Sequence, residues 1–137
     1  MRTLIVEADG ASRGNPGEAS YGAVVRDADS GELLAELAEA LGRATNNVAE
    51  YRGVIAGLEA ARRIDPAARV DVRLDSRLVV EQLSGRWQVK HPDMKPLYLE
   101  AMERLRAFGR WRVRNVPRAQ NAAADALVNQ ELDAQRA

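Results

Sequence analysis

A chain of 137 residues, 46% of them hydrophobic, can bury a real core and fits one domain. The absence of cysteine excludes disulfides and thiolate metal sites, and a lone histidine, His91, excludes a multi-histidine cluster, so any metal must be held by oxygen. The 20 basic and 20 acidic residues cancel, yet between positions 86 and 118 nine basic residues stand against three acids, a local net of +6 that suits a polyanionic partner. Almost every cation is arginine, whose planar fork favours bidentate phosphate contacts.

The chain opens MRTLIVEADG, with acids among its first ten residues and no long apolar run. A secretory signal and a membrane span are not expected there, and a cytoplasmic location is. RTLIVEADG (2–10) is rich in β-formers and predicts the first strand, followed by the turn-rich SRGNPG. SYGAVVRDADSGELLAELAEAL then predicts two strands joined at DADSG, giving a three-stranded antiparallel meander. Thr45, Asn46 and Asn47 offer a helix start ahead of residues 48–63, and DPAA stops that helix. RVDVRLD (69–75) alternates as a fourth strand, and a helix between two strands implies a crossover. A short helix at 76–84, a turn at SGR, a helix at 93–107, a strand in WRVRNVP and a last helix from about Asn121 complete the chain. The class is α/β: a mixed five-stranded sheet, three antiparallel strands and then crossover strands, with helices on both faces.

Four acids sit oddly in this pattern. At 3.6 residues per turn Glu50 shares a face with Gly53, Val54 and Gly57, whereas a solvated acid belongs opposite that stripe. Asp125 repeats the oddity beside Val128 and Leu132, Asp9 ends the first strand, and Asp75 ends the fourth. Each alone has a plain structural explanation: a turn cap for Asp9, a helix N-cap for Asp75, and helix-dipole stabilisation for Glu50 and Asp125. Together, four carboxylates meeting on one side of a sheet would repel and lose hydration, so they take up protons or a cation. Magnesium, a hard ion that wants oxygen ligands, fits such a set. Two such ions about 4 Å apart clamp the attacking water and the leaving oxygen of an in-line phosphoryl displacement, which makes acid-only clusters suggestive of phosphodiester chemistry.

The blocks DGASRGNPG, GRATNNVAEYRGVIAGLEAA, LDSRLVVEQLSG and VPRAQNAAADAL, in that order and over nearly the whole chain, resemble the type 1 ribonuclease H family in its compact bacterial and archaeal form without a basic protrusion. The resemblance implies an endonuclease with two magnesium ions per site, manganese being a possible substitute, that cuts the RNA strand of RNA/DNA hybrids and leaves 3'-hydroxyl and 5'-phosphate ends. By position, Asp9 resembles the acid bridging both metals, Asp125 the ligand of the metal that activates water, and Glu50 and Asp75 the ligands of the metal at the leaving oxygen. Asn15, Asn46 and Asn47, with Ser12 in the same turn, match the groups that read the minor groove and the 2'-hydroxyl. Arg43 and Thr45 match the pair gripping a DNA phosphate, and Trp87 an aromatic that stacks on DNA sugars. Where many relatives have a loop histidine before the last helix, PRAQNAAAD has none, and Arg118 is the electrostatic substitute; His91, in KHPD, reads as a turn residue. The implied partner is the hybrid duplex, with no membrane and no obligate protein partner, for a monomer.

Two other readings remain open at this point: a DNA-directed nuclease of the same fold, like integrases, transposases and junction resolvases, and a non-catalytic hybrid-binding module. The TNN block and the Asn15 turn weigh against the first, and the presence of all four acids against the second. A dinucleotide-binding fold is the weakest, because GASRGNPG joins strand to strand rather than strand to helix.

Overall fold

The computed structural model describes residues 1–135. Strands β1 (Thr3–Arg13), β2 (Gly17–Asp27) and β3 (Leu33–Ala44) form the antiparallel meander, and β4 (Arg69–Leu74) and β5 (Trp111–Asn115) extend it in the order β3-β2-β1-β4-β5. The β1–β4 and β4–β5 pairs are parallel, as crossover connections require. Helices α1 (Asn46–Ile64), α2 (Arg77–Leu83) and α3 (Lys95–Arg106) follow in chain order, and α4 (Ala122–Ala134) closes it after a 3-10 turn at Arg118–Asn121.

Successive residues of β2 show that both faces are covered. A Cβ on Gly22 would lie 2.6 Å from the Ala124 carbonyl of α4, while the side chain of the next residue, Ala23, faces Gly57 of α1. Ser20 reinforces the α4 side by donating to the Val128 carbonyl at 2.9 Å. On the α1 side Leu4, Val6, Val70, Val72 and Leu74 meet Tyr51, Val54, Leu58 and Leu105 in one buried cluster. Each such leucine contributes about 2 kcal/mol. Tyr51 Oη donates to Gln82 Oε1 at 2.6 Å and so ties α1 to α2 inside that core.

Several boundaries differ from the sequence reading. Strand β1 does not stop at Gly10 but runs to Arg13, because Gly10, Ala11 and Ser12 pair with Tyr21, Ser20 and Ala19 of β2; a strong partner strand overrides weak local propensity, and only Gly14–Pro16 remain as turn. The β1–β4 ladder ends at Glu7 and Arg73, so Asp9 lies inside β1 yet just beyond the reach of its parallel neighbour. Helix α1 starts two residues earlier than expected, with Thr45 as N-cap accepting from the Val48 amide at 3.3 Å. Ser76, not Asp75, caps α2, accepting from Val79 N at 3.4 Å. Helix α3 begins at Lys95, and the preceding turn is held by His91 Nδ1 accepting from Asp93 N at 3.1 Å. Strand β5 stops at Asn115 because Pro117 has no N–H to donate; the Val116 amide makes the last bond, to the Leu74 carbonyl at 2.8 Å.

Candidate active site

Three elements converge where β1 outruns β4. A Cβ on Gly10 would fall 2.2 Å from the carbonyl carbon of Ala49, and one on Gly53 would fall 2.9 Å from the Asp9 carbonyl oxygen. Only glycine lets α1 lie this close to the strand, and the approach sets Glu50 beside Asp9. Asp75, the first residue after β4, completes the group: one carboxylate oxygen from each of Asp9, Glu50 and Asp75 lies within 4.8 Å of the others. Asp125, in the first turn of α4, lines the same pocket of about 570 Å³ but is not part of that close group. Its Oδ1 accepts from Arg118 at 3.2 Å and its Oδ2 from Asn129 Nδ2 at 3.4 Å.

The electrostatics of this group are uncompensated from within. Burial pushes Asp9 up to about 7, the charge of Asp75 and a hydrogen bond with Asp125 add to the rise, and hydrogen bonds with Glu50 and the Gly10 amide oppose it. Burial, followed by the charge of Asp9, raises Glu50 well above the usual carboxylate range. Glu50 Oε2 is buried without a hydrogen-bond partner among the described residues, an arrangement that costs free energy. Arg118 is the only cation lining the pocket among the described residues, and it is exposed and engaged with Asp125. An all-carboxylate set with an orphaned buried oxygen and no internal counter-charge fits a hard divalent cation.

The residues expected to meet nucleic acid divide into groups. Asn46 lines the acid pocket; its Oδ1 accepts from Ser12 N at 2.7 Å, and its own amide donates to Asn15 Oδ1 at 3.1 Å. These bonds join the β1–β2 turn to the start of α1 and occupy the Oδ1 atoms of both side-chain amides. The Ser12 hydroxyl is turned back onto the Gly14 carbonyl. Asn47 follows in the first turn of α1. Arg43 and Thr45 line a neighbouring depression together with Pro16, Arg52 and Pro92. Trp87 lies outside both pockets, half-exposed, with the Arg77 guanidinium 5.5 Å above its ring.

The positive segment at 86–118 does not gather at the acids. Arg86 pairs with Glu81, Arg104 with Glu59 and Glu100, and Arg112 and Arg114 with Asp71, leaving Arg118 as its one representative in the pocket among the described residues. Two further asparagines support the site without having been expected there. Asn129 steadies Asp125, a pairing readable from its i,i+4 spacing. Asn121, fully buried, donates to the Ala8 carbonyl at 2.8 Å and pins the start of α4 to the residue before Asp9; nothing in its helix-start context signalled that distant partner.

The sheet order, the parallel β1–β4 pair and helices on both faces define a ribonuclease H-like fold. A family model described as reverse transcriptase-like matches residues 7–131. A solved RNase H1 from the archaeon Halobacterium salinarum superposes with a TM-score of 0.91 at 45% identity, covering 96% of this chain and 98% of its own. LC11-RNase H1, solved in complex with an RNA/DNA hybrid, gives a TM-score of 0.88 at 36% identity over 98% of this chain and 99% of its own. The chain belongs to the type 1 ribonuclease H family. Among curated relatives, the bifunctional protein of Mycobacterium tuberculosis is 56% identical over 131 residues, which are 96% of this chain and 36% of that protein. The chain therefore spans about a third of the length of the mycobacterial proteins it matches. No helix among the described residues is long and apolar enough to cross a membrane.

Proposed function

We propose that this chain is an endoribonuclease that hydrolyses the RNA strand of RNA/DNA hybrids, with magnesium as its ion and manganese as a substitute, leaving 3'-hydroxyl and 5'-phosphate ends. The observation that carries the reading is the meeting of Asp9, Glu50 and Asp75 within 4.8 Å in a pocket where Glu50 Oε2 has no partner among the described residues. Family membership and the likeness to a relative solved on a hybrid support the same substrate. Asp9, Glu50 and Asp75, with Asp125 beside them, are the residues that would hold two ions. When bound, such ions supply an activated water and charge stabilisation at the leaving oxygen.

The chain's own groups do the rest. With the Oδ1 atoms of Asn15 and Asn46 taken by backbone amides, their Nδ2 groups would act as donors, which suits the acceptor-rich minor groove, and Ser12 and Asn47 stand with them to read the 2'-hydroxyl of the RNA strand. Arg43 and Thr45 would seat a phosphate of the DNA strand in the neighbouring depression. Trp87 would stack on sugars further along the duplex. Arg118 takes the place of the family's loop histidine as a fixed positive charge; a guanidinium exchanges no proton near neutral pH, so proton transfer falls to water and the carboxylates. The unit works as a single domain and monomer, in the cytoplasm.

Cleavage of end-labelled RNA/DNA, RNA/RNA and DNA/DNA duplexes in magnesium tests this. Cutting confined to the RNA of the hybrid is expected. Cutting of DNA/DNA would move the chain to a DNA-directed nuclease, and hybrid binding without cutting would make it a binding module.

A further inference from the structure

The face of the sheet opposite α1 is not uniform. Helix α4 packs over β1, β2 and β3, but above Asp71 of β4 the cover is arginine. Asp71 alternates with the core residues Val70 and Val72 and so points to this far face, where Arg73, Arg112 and Arg114 approach its Oδ2 at 3.2, 3.3 and 3.1 Å. The strand register aligns two rows: Arg26, Ile5, Asp71 and Arg112 in one, Val24, Glu7, Arg73 and Arg114 in the next. Glu7 is matched one to one, by Arg26 at 2.7 Å. At the amino ends of β4 and β5 the rows open into a depression of about 570 Å³ that also takes in Thr3, Arg69 and Arg110. Arg69 and Arg110 are exposed and make no ion pair among the described residues.

A structural role for Asp71 explains one of these arginines. A buried carboxylate needs one counter-charge, yet three guanidiniums share it, and two more stand beside it. Six arginines (Arg26, Arg69, Arg73, Arg110, Arg112, Arg114) thus share a rigid surface with two nearly buried acids, Glu7 and Asp71. Because Asp71 occupies only part of each fork, outward N–H donors remain, held in place by the sheet. Such an array matches evenly spaced phosphates better than the flexible carboxylates of an acidic polypeptide, since a nucleic-acid duplex offers one charge per roughly 1.7 Å of axis. It is not the acid pocket. Asp71 precedes Asp75 by four residues, about 13 Å at strand pitch, and does not line that pocket.

We propose that this arginine face, centred on Asp71, is a second nucleic-acid-binding surface that grips the phosphodiester backbone of a segment other than the one lying at the acids. It also gives a location to three cations of the segment 86–118 that the acid pocket does not use, Arg110, Arg112 and Arg114.

The test measures binding of a fluorescein-labelled all-DNA duplex by anisotropy in EDTA over a sodium chloride series. The outcome is then independent of whether the acid pocket cleaves. The variant Arg69→Ala/Arg110→Ala/Arg112→Ala is compared with wild type and with a control, Arg62→Ala/Arg63→Ala/Arg106→Ala, that removes equal charge from exposed positions on α1 and α3. The face variant is expected to bind at least about tenfold more weakly at low salt, with the slope of log affinity against log salt shallower by about 2 to 3, while the control changes far less. A melting curve verifies that the face variant is folded, and Arg112→Glu alone provides a second variant with the same expected direction. Cleavage of a hybrid too short to reach this face should stay at the wild-type rate. Equal losses in the two triple variants, no loss in the face variant, or displacement of the DNA by polyglutamate as readily as by unlabelled duplex would each overturn the proposal.

Discussion

Glu50 and Asp71 are both carboxylates with less than a tenth of their surface exposed, yet their surroundings drive them in opposite directions. Burial and the charge of Asp9 raise Glu50. At Asp71 burial pulls the same way, but the guanidiniums of Arg114 and Arg112, joined by Arg73, more than offset it and hold the carboxyl below its ordinary value. Burial alone therefore does not mark a functional acid; what marks the pocket of Asp9, Glu50 and Asp75 is burial without a counter-charge from the chain. Among the described residues the chain supplies Asp71 with its own counter-charges and supplies none to Glu50.

The largest effect expected from that contrast is on catalysis. Asp9→Asn should lower the hybrid-cleavage rate by at least about a thousandfold, since ion binding supplies several kcal/mol at the transition state, while the protein stays folded and melts no lower than wild type. A variant that cleaves normally, or that is unfolded at room temperature, would break the distinction. Asp71→Asn should do the reverse. Losing the shared partner of three guanidiniums should cost about 2 to 3 kcal/mol in urea unfolding, below the usual figure for a buried pair because the arginines are partly exposed, and cleavage per folded molecule should persist.

The contrast also sets a pH dependence. In the metal-free protein burial pushes Asp9 from an ordinary 3.8 up to about 7, so between those pH values the folded state binds more proton than the unfolded chain. The resulting stability is complete below about pH 4 and is lost as pH rises through 7. Asp71, depressed in the folded state, contributes stability above the ordinary carboxylate range and loses it as pH falls. Melting in EDTA should accordingly fall by a few degrees between pH 5 and pH 8 in wild type and stay flatter in Asp9→Asn. A wild-type curve rising over that interval would contradict the assignment. The smallest effect is local: Thr45→Ala removes the cap of α1 and should cost about 1 kcal/mol in the same urea assay.

Much of this arrangement was legible in the sequence because its signals are periodic or chemical. Glu50 betrayed itself by facing the same way as Gly53 and Gly57, and those two glycines do lie against β1 and β2. The run of strand, turn and helix signals led to the observed order of elements, with errors confined to their ends. What was not legible depends on partners distant in the chain. Strand β1 continues past Asp9 only because β2 pairs with it. Asn121 reaches Ala8 across 113 positions, and the arginines of β5 converge on Asp71 of β4, which nothing in the alternation of RVDVRLD singles out. The helix pattern brought Asp125 to the same pocket as the other acids, but did not signal its pairing with Arg118, which lies seven positions away.

The most direct measurement is thermal melting at pH 8 across a magnesium titration, wild type against Asp9→Asn. The account predicts that magnesium raises the wild-type midpoint, because ions relieve the repulsion among the buried carboxylates, and that the variant starts higher in EDTA and gains less. An unmoved wild-type midpoint, or an equal gain in both proteins, would mean that these acids do not gather to hold divalent ions.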